Sequence, residues 1–316
     1  MSEAMMKAAL CRRYGPPEVF EIGEAPRPAP RDDEILVRIH ASAVTASDTY
    51  IRGFKLPLKV HIPLRLAMGI FRPRKVVQGI VFSGVVESAG PKTQRFSPGD
   101  EVYGMTGFHL GCYAEYVCLK DADSPRRGCI AAKPKSLTHE EATAAAYGGL
   151  LALGVIERGN PRPGNAVFVY GASGTTGTIA VPYLAQLGTK VTAACSEENR
   201  DFVASLGAAK TLNYADEASV NLLEDYDLVL DCVGKHKSSP LREELNRRYG
   251  KAILSIDDGR MQLLSPRLDR IRTNVDDGGL RPTVDRVFPL EEIGPAHAYV
   301  ETLHKRGGVA IRMIDG

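Results

Sequence analysis

A glycine-rich turn in the middle of the chain constrains its fold more than any other feature. Residues 171–177 read Gly-Ala-Ser-Gly-Thr-Thr-Gly, after the apolar run 166–170 and before a helical segment that ends near Leu187. Glycine permits a tight turn and close approach of the backbone to a pyrophosphate, and the amides at the start of the next helix favour negative charge. The pattern predicts a dinucleotide site, with an ordinary glycine-rich turn as the alternative. The predicted contacts are Gly171, Ala172, Ser173, Gly174, Thr175, Thr176 and Gly177.

The chain before this region is rich in short β-type runs. Runs such as 34–39 and 80–86 are separated by glycine and proline turns, which is typical of a β-rich, barrel-like domain. The tail of the chain ends in a further apolar run over 309–313, and we expect it to return to this first domain. The predicted β-rich domain therefore comprises residues 1–135 and 280–316.

Residues 136–279 follow a different rhythm, in which short apolar runs alternate with helical segments. Thr138 is the expected cap of the first helix. Strands are predicted over 190–194, 228–230 and 252–256, in addition to the one before the glycine-rich turn. Alternation of this kind indicates βαβ units and a doubly wound parallel sheet, so the predicted class is α/β.

The end of the second predicted strand bears on which dinucleotide is bound. An Asp or Glu there usually holds the ribose 2′-hydroxyl of NAD, whereas this chain has Ser196, followed by Asn199 and Arg200. A serine hydroxyl and an arginine favour a 2′-phosphate, while Glu197 and Glu198 oppose it. The balance predicts NADPH, with NADH as the alternative.

Composition excludes several other classes of protein. The 40 basic and 38 acidic residues give a net charge of +2, so nucleic acid is not an expected partner. No run approaches the roughly 20 apolar residues of a membrane helix, and stable membrane insertion is not expected. The six cysteines form no C-x-x-C pair, which argues against a disulfide framework and favours a reducing, cytoplasmic setting.

Several stretches together resemble the medium-chain dehydrogenase/reductase superfamily, in its zinc-free quinone oxidoreductase (zeta-crystallin-like) branch. They are 40–53, 82–90, 95–104, 146–153, the glycine-rich turn, 205–208, 213–214, 231–234, 280–285 and 288–292. The resemblance implies a GroES-like β-rich catalytic domain joined to a Rossmann domain, with the active site in the cleft between them.

The resemblance also assigns roles to individual residues. Tyr214 is expected against the adenine. The nicotinamide end is expected to be lined by Cys232, Val233, Gly234 and Ser255. Tyr50 and Arg52 are expected to face the substrate cleft.

No metal is expected. Zinc-dependent relatives take ligands from the two regions that here read Val-Thr-Ala-Ser over 44–47 and Gly-Ile-Val over 79–81, and neither offers one. Cys112, Cys118 and Cys129 are too few and too spread for the structural zinc site of such enzymes.

The expected chemistry is hydride transfer to a small apolar electrophile, either a quinone or an α,β-unsaturated carbonyl. Tyr50 is the predicted donor to the acceptor oxygen, Arg52 the predicted stabiliser of an enolate or quinolate, and Thr45 a hydroxyl in place of an amide common in relatives. The alternatives make Tyr50 a pocket wall, Arg52 a surface salt-bridge residue and Thr45 structural.

Two other functions stay open: a zinc-free alcohol or aldehyde oxidoreductase, and a nucleotide-binding protein with little catalysis. The family resemblance implies a longer insert with a further Rossmann strand where this chain has only 257–279, so we expect that strand to be missing or displaced. Because the strand often pairs across a dimer in such relatives, a monomer or an atypical homodimer is predicted. The basic and apolar segment 54–75 is read as a lid, as a packed helix or as a membrane-surface contact.

Overall fold

The computed structural model describes residues 4–54, 65–124, 127–234, 238–258 and 262–314, and within these the chain is rich in both strands and helices. The strands are β1 Met5–Cys11, β2 Phe20–Pro26, β3 Glu34–Val44, β4 Val81–Ala89, β5 Glu101–Met105, β6 Tyr116–Lys120, β7 Cys129–Ala132, β8 Ala166–Tyr170, β9 Lys190–Cys195, β10 Lys210–Asn213, β11 Leu228–Asp231, β12 Leu254–Ser255, β13 Val284–Pro289 and β14 Gly308–Arg312. The helices are α1 Ala46–Gly53, α2 His139–Gly159, α3 Gly177–Gln186, α4 Arg200–Ser205, α5 Pro240–Tyr249, α6 Ser265–Asp276 and α7 Ile293–Glu301.

A seven-stranded sheet gathers most of the strands from the first part of the chain. Its order is β13-β14-β3-β4-β5-β7, with β6 also paired to β3, while β1 and β2 form a separate antiparallel pair. Strand β14 from the tail pairs antiparallel with β3, so Val309 lies opposite Val44. The tail therefore shares a sheet with the N-terminal strands, as expected for a β-rich GroES-like domain. The domain boundaries themselves stay a prediction.

A five-stranded parallel sheet forms the second layer, in the order β10-β9-β8-β11-β12. The chain runs outward from β8 through β9 to β10 and then crosses to β11, which leaves a crevice between the carboxyl ends of β8 and β11. Ligands of doubly wound sheets bind at such a reversal of strand order. Strand β12 has only two residues, and it is the last strand of this sheet within the described chain. The expected α/β class with a shortened Rossmann sheet is confirmed.

Helix α2 joins the two sheets. It begins with a capping box, in which the Thr138 hydroxyl accepts from the Glu141 amide and the Glu141 carboxylate accepts from the Thr138 amide. The helix packs against β3, β4 and β5 on one side and against α3 and α6 on the other. One hydrophobic core continues through it, from the antiparallel sheet to the parallel one. The expected cap at Thr138 is confirmed.

The segment 54–75 lies only partly within the described residues, because 55–64 are outside them. In the described part, the Arg65 guanidinium lies 4.1 Å from the ring centre of Phe54, and Phe71 is 90 % exposed. No helix of the described chain is long and apolar enough to span a membrane. The lid, packing and membrane-surface interpretations all stay predictions.

Candidate active site

The glycine-rich turn follows β8 at the crevice of the parallel sheet, and two of its glycines are required by close contacts. Gly171 has φ +82°, and a Cβ there would lie 2.1 Å from Cγ2 of Val233. A Cβ on Gly177 would lie 2.4 Å from the Gly171 carbonyl oxygen and 2.5 Å from Cα of Ala172. No side chain fits at either distance, so the turn closes only with glycine at both positions.

Gly174 differs from these two glycines because the space beside it is open. The nearest protein atom to a Cβ there would be the Gly171 carbonyl oxygen at 3.6 Å. The small residue leaves backbone exposed at the start of α3, where amide groups and the helix dipole favour an anion. Ser173 and Thr175 beside it are partly exposed, whereas Ala172 and Thr176 are buried. The turn therefore fits the pyrophosphate of a dinucleotide.

The residues after β9 form a hydrogen-bonded group at the same edge of the sheet. The buried Asn199 donates through Nδ2 to Oγ of Ser196 at 2.9 Å. Arg200 lies 3.0 Å from a carboxylate oxygen of Glu197 and forms an exposed ion pair with it. Each charge in this pair partly neutralises the other. Arg200 therefore attracts a phosphate less than a free arginine would, and Glu197 repels it less than expected.

Two cations of the tail, Lys305 and Arg306, reach this edge of the sheet. Neither was predicted from the sequence as a site residue. Lys305 Nζ lies 2.7 Å from Oγ1 of Thr175. Arg306 donates through Nε to the side-chain oxygen of Asn199. It also donates through a terminal nitrogen to the carbonyl of Glu198 at 3.0 Å. The two residues precede β14, more than a hundred positions from the segments that they contact, so no local motif marks them.

The predicted nicotinamide end lies beside the glycine-rich turn. Val233 is 37 % exposed and packs against Gly171, while Cys232 is buried. Gly234 has φ +105°, and a Cβ on it would lie 2.6 Å from a carboxylate oxygen of Asp257. The loops after β11 and β12 therefore meet at this point and leave the Val233 side chain accessible.

Ser255 and Tyr214 have structural contacts in addition to their predicted roles. The buried Ser255 hydroxyl donates to Asp231 at 2.7 Å, and Arg242 donates to the same carboxylate oxygen at 2.8 Å. Hydrogen bonds from Arg242 and Ser255 hold the pKa of Asp231 below its usual range, although burial opposes them. Tyr214 is half-buried beside Tyr170, with the ring centres 6.3 Å apart. The Ser255 side chain thus fixes the loop. Its backbone is engaged as well, because the amide donates to Asp258 and the carbonyl accepts from Arg158.

Helices α1 and α2 contact each other through a pair of hydroxyl groups. Oγ of Ser47 lies 3.1 Å from the hydroxyl oxygen of Tyr147. Burial raises the pKa of Tyr147 to about 12, so its hydroxyl stays protonated at neutral pH and can donate. Tyr147 was not among the predicted catalytic residues, although it lies in the stretch 146–153 that contributes to the family resemblance.

Thr45 caps helix α1 and is held there by the helix itself. Its hydroxyl accepts from the Asp48 amide and donates to Oδ2 of Asp48 at 2.5 Å, and its own amide donates to the same oxygen at 2.9 Å. Both groups are buried. This capping box supports the structural alternative for Thr45, so Thr45 is not one of the proposed catalytic residues.

Tyr50 and Arg52 point to different surroundings, and the expectation for Arg52 is wrong. Tyr50 is 39 % exposed, and burial followed by the Asp257 carboxylate raises its pKa. Arg52 is fully buried, and its guanidinium donates to Glu301 at 2.6 Å and to the carbonyl of Gly15 at 3.0 Å. Because the guanidinium is enclosed by these contacts, it is not available to a substrate. Arg52 is a structural ion-pair residue.

The residues present do not fit a catalytic zinc. The two regions that supply ligands in zinc-dependent relatives offer none here, and the Thr45 hydroxyl is engaged in the cap. Within the described ranges, no group of three or more His, Cys, Asp or Glu side chains is arranged to hold a metal ion. All six cysteines are free and buried.

Comparison with known proteins identifies relatives along nearly the whole chain. Two family models match, alcohol dehydrogenase GroES-like domain over residues 31–126 and zinc-binding dehydrogenase over residues 206–311. The human mitochondrial NAD(P)H oxidoreductase RTN4IP1 is 27 % identical, over 89 % of this chain and 82 % of its own length. A quinone oxidoreductase from Sus scrofa is 26 % identical over 96 % of each chain. The structure of the quinone oxidoreductase from Coxiella burnetii superposes with a TM-score of 0.83 at 25 % identity, covering 98 % of this chain and all of its own.

Proposed function

The chain belongs to the medium-chain dehydrogenase/reductase superfamily and is an oxidoreductase that uses a nicotinamide cofactor, and from this we propose that it reduces a conjugated carbonyl, a quinone or an enone, with NADPH and without zinc. The observation that carries the proposal is the position of two tyrosines. Burial and nearby carboxylates, Asp257 among them, raise the pKa of both Tyr50 and Tyr147, and the Asp257 carboxylate borders Gly234 in the loop predicted for the nicotinamide end. The relatives named as quinone oxidoreductases support the acceptor class.

The hydroxyl donors supply the polarisation that a metal supplies elsewhere in the superfamily. Bound reduced nicotinamide provides the hydride, and the acceptor oxygen gains negative charge as the hydride arrives. A protonated tyrosine hydroxyl near that oxygen lowers the barrier by donating a hydrogen bond. Tyr50 is the proposed direct donor because its side chain is partly exposed. Tyr147 and Ser47 form a hydrogen-bonded hydroxyl pair, and we assign to this pair the role of positioning helix α1, which carries Tyr50.

NADPH rather than NADH is proposed from the group after β9. Ser196 stands where an acidic residue would hold the ribose of NAD. Two acidic side chains follow Ser196. Glu197 is paired with Arg200, and a carboxylate oxygen of Glu198 accepts from Oγ of Ser196 at 3.3 Å. A 2′-phosphate therefore meets a hydroxyl and a partly neutralised Glu197, and it would replace Glu198 as the partner of Ser196. The free cysteines suit a reducing compartment, and a cytoplasmic location and a monomeric or atypical dimeric state stay predictions.

A comparison of acceptors tests the proposal. The purified protein is mixed with NADPH or NADH, and loss of the reduced-nicotinamide absorbance is followed with an ortho-quinone, a para-quinone, an enal and a simple saturated aldehyde. We expect turnover with at least one conjugated acceptor, none with the aldehyde, and no loss of rate after dialysis against a chelator. Turnover of the aldehyde alone would instead identify an aldehyde oxidoreductase. Saturable NADPH binding without turnover of any acceptor would identify a nucleotide-binding protein.

A further inference from the structure

We propose that Lys305 and Arg306 form a second phosphate-binding element, contributed by the tail, in which Lys305 binds the pyrophosphate and Arg306 binds the 2′-phosphate of NADPH. This inference rests on the proposed use of NADPH and names the residues that select it.

The tail is attached to the glycine-rich turn by a set of hydrogen bonds. The Gly307 amide donates to the Ser173 carbonyl at 2.8 Å, and Oγ1 of Thr175 donates to the Gly307 carbonyl at 2.8 Å. Gly174 and Gly307 form an isolated parallel bridge. The tail therefore runs alongside the turn that holds the pyrophosphate, and a cation on it has a fixed position relative to that turn.

Lys305 presents its ammonium group to neutral oxygens at this point. Its Nζ lies 2.7 Å from Oγ1 of Thr175 and 2.6 Å from the Gly307 carbonyl oxygen. Neither contact offsets the charge of the ammonium, and burial lowers its pKa to about 8 although the Asp285 carboxylate opposes the shift. An anion bound on the turn would stabilise the protonated form of Lys305. The pyrophosphate is the anion that the turn is shaped to receive.

Arg306 reaches the ribose end of the same site. It donates to the side-chain oxygen of Asn199, and Asn199 in turn donates to Oγ of Ser196 at 2.9 Å. Both hydrogen bonds described for Arg306 end on neutral oxygens, the second on the Glu198 carbonyl. Arg200, in contrast, is paired with a carboxylate. Arg306 is therefore linked to Ser196 through Asn199, and its described hydrogen bonds leave its charge available to a phosphate that replaces the Glu198 carboxylate at Ser196.

Binding of cofactor fragments tests the two assignments separately. The variants are R306Q and K305Q, and the ligands are NADPH, NADH, ADP-ribose, 2′,5′-ADP and 5′-AMP, with affinities measured by calorimetry. R306Q should weaken NADPH and 2′,5′-ADP by roughly tenfold to a hundredfold, the scale of one charge-assisted hydrogen bond, and leave NADH and 5′-AMP within about twofold. K305Q should weaken NADPH, NADH and ADP-ribose together, and it should weaken 5′-AMP less, because 5′-AMP carries only one of the two phosphates.

Controls separate a local effect from a general one. R247Q removes an exposed arginine on α5 that is paired with Glu244, and it should change no affinity. K305R should restore most of the affinity lost in K305Q, and the thermal midpoint of each variant shows whether it folds. Equal loss of NADPH and NADH in R306Q, or no loss in either, would overturn the assignment of Arg306. Unchanged ADP-ribose binding in K305Q would overturn that of Lys305.

The failure of the proposed function gives a different result. If the wild-type protein binds 2′,5′-ADP no more tightly than 5′-AMP, the NADPH preference itself is wrong, and the Arg306 assignment fails with it. If the fragments bind as expected but no conjugated acceptor is reduced, the phosphate element stands and only the acceptor class is overturned.

Discussion

The hydroxyl oxygens of Tyr147 and Ser47 lie 3.1 Å apart, across the contact between helices α2 and α1. The pair joins the helix that connects both sheets to the helix that carries Tyr50. Tyr50 is partly exposed and Tyr147 is buried, so the proposed function assigns proton donation to Tyr50 and positioning to Tyr147.

Removing each hydroxyl in turn distinguishes these two roles. Tyr50→Phe should lower kcat for a conjugated acceptor about a hundredfold, the lower end of the range for a lost proton donor. Tyr147→Phe should lower it by about tenfold or less, since it removes a hydrogen bond from the α1 contact. Steady-state kinetics with a quinone and an enal measure both, with the Kd for NADPH as control. A large loss in Tyr147→Phe together with an unaffected Tyr50→Phe would exchange the two roles.

The glycines of the turn should respond differently to the same substitution. Gly177→Ala places a Cβ within 2.5 Å of two backbone atoms, so the turn must distort, and we expect the thermal midpoint to fall by several degrees. Gly174→Ala meets nothing closer than 3.6 Å, so stability should be kept while NADPH binding weakens, because the methyl group occupies the phosphate surface. Calorimetry of unfolding and of binding tests the pair. Equal stability of the two variants would show that Gly177 is not required for the turn.

The ion pair of Arg52 and Glu301 should matter for stability rather than for catalysis. Arg52→Met removes the buried guanidinium from the Glu301 carboxylate and from the Gly15 carbonyl, and we expect a loss of about 3 kcal/mol in the free energy of unfolding. The kcat of the folded variant should stay within about twofold of wild type, since the guanidinium faces Glu301 and Gly15. Denaturant titration and kinetics on the same preparation test this. A loss of kcat without a loss of stability would restore the catalytic role that the sequence suggested.

The features predicted from sequence are those whose cause is local. The cap at Thr138 depends on residues within one helical turn. The spacing of the glycine-rich turn is visible in the sequence, although the contact that requires Gly171 is made with the distant Val233. Arg52 was misassigned because residues two apart on a helix point in nearly opposite directions. Once α1 is helical, Tyr50 and Arg52 cannot share a face.

The features missed from sequence depend on contacts between distant segments. Arg306 reaches Asn199 only because β14 returns to pair with β3 and brings the preceding residues against the parallel sheet. Tyr147 contacts Ser47 only because α2 packs between the two sheets. Arg306 belongs to no motif, and Tyr147, although it lies in the stretch 146–153, gives no local sign of a partner on α1.

Asp48 should make the stability of the protein depend on pH in an unusual direction. Burial raises the pKa of Asp48 to about 7, although hydrogen bonds from Thr45 oppose the rise. In the unfolded chain the carboxyl has its ordinary pKa near 4. Between these two values the folded state keeps a proton that the unfolded state has lost. This group's contribution to the free energy of unfolding should therefore fall as pH rises from about 4 to about 7, by up to about 4 kcal/mol, and stay level above that.

Asp48→Asn isolates this contribution, because an amide oxygen can still accept from Thr45 and cannot ionise. Urea titrations at several pH values between about 4.5 and 8 should show the variant gaining on the wild type as pH rises, with the difference levelling off once the wild-type carboxyl is ionised. Other titrating groups contribute alike to both proteins and cancel in the difference. Parallel stability curves across this range would mean that Asp48 is already ionised in the folded protein at low pH, and that the capping hydrogen bonds outweigh the cost of burying its charge.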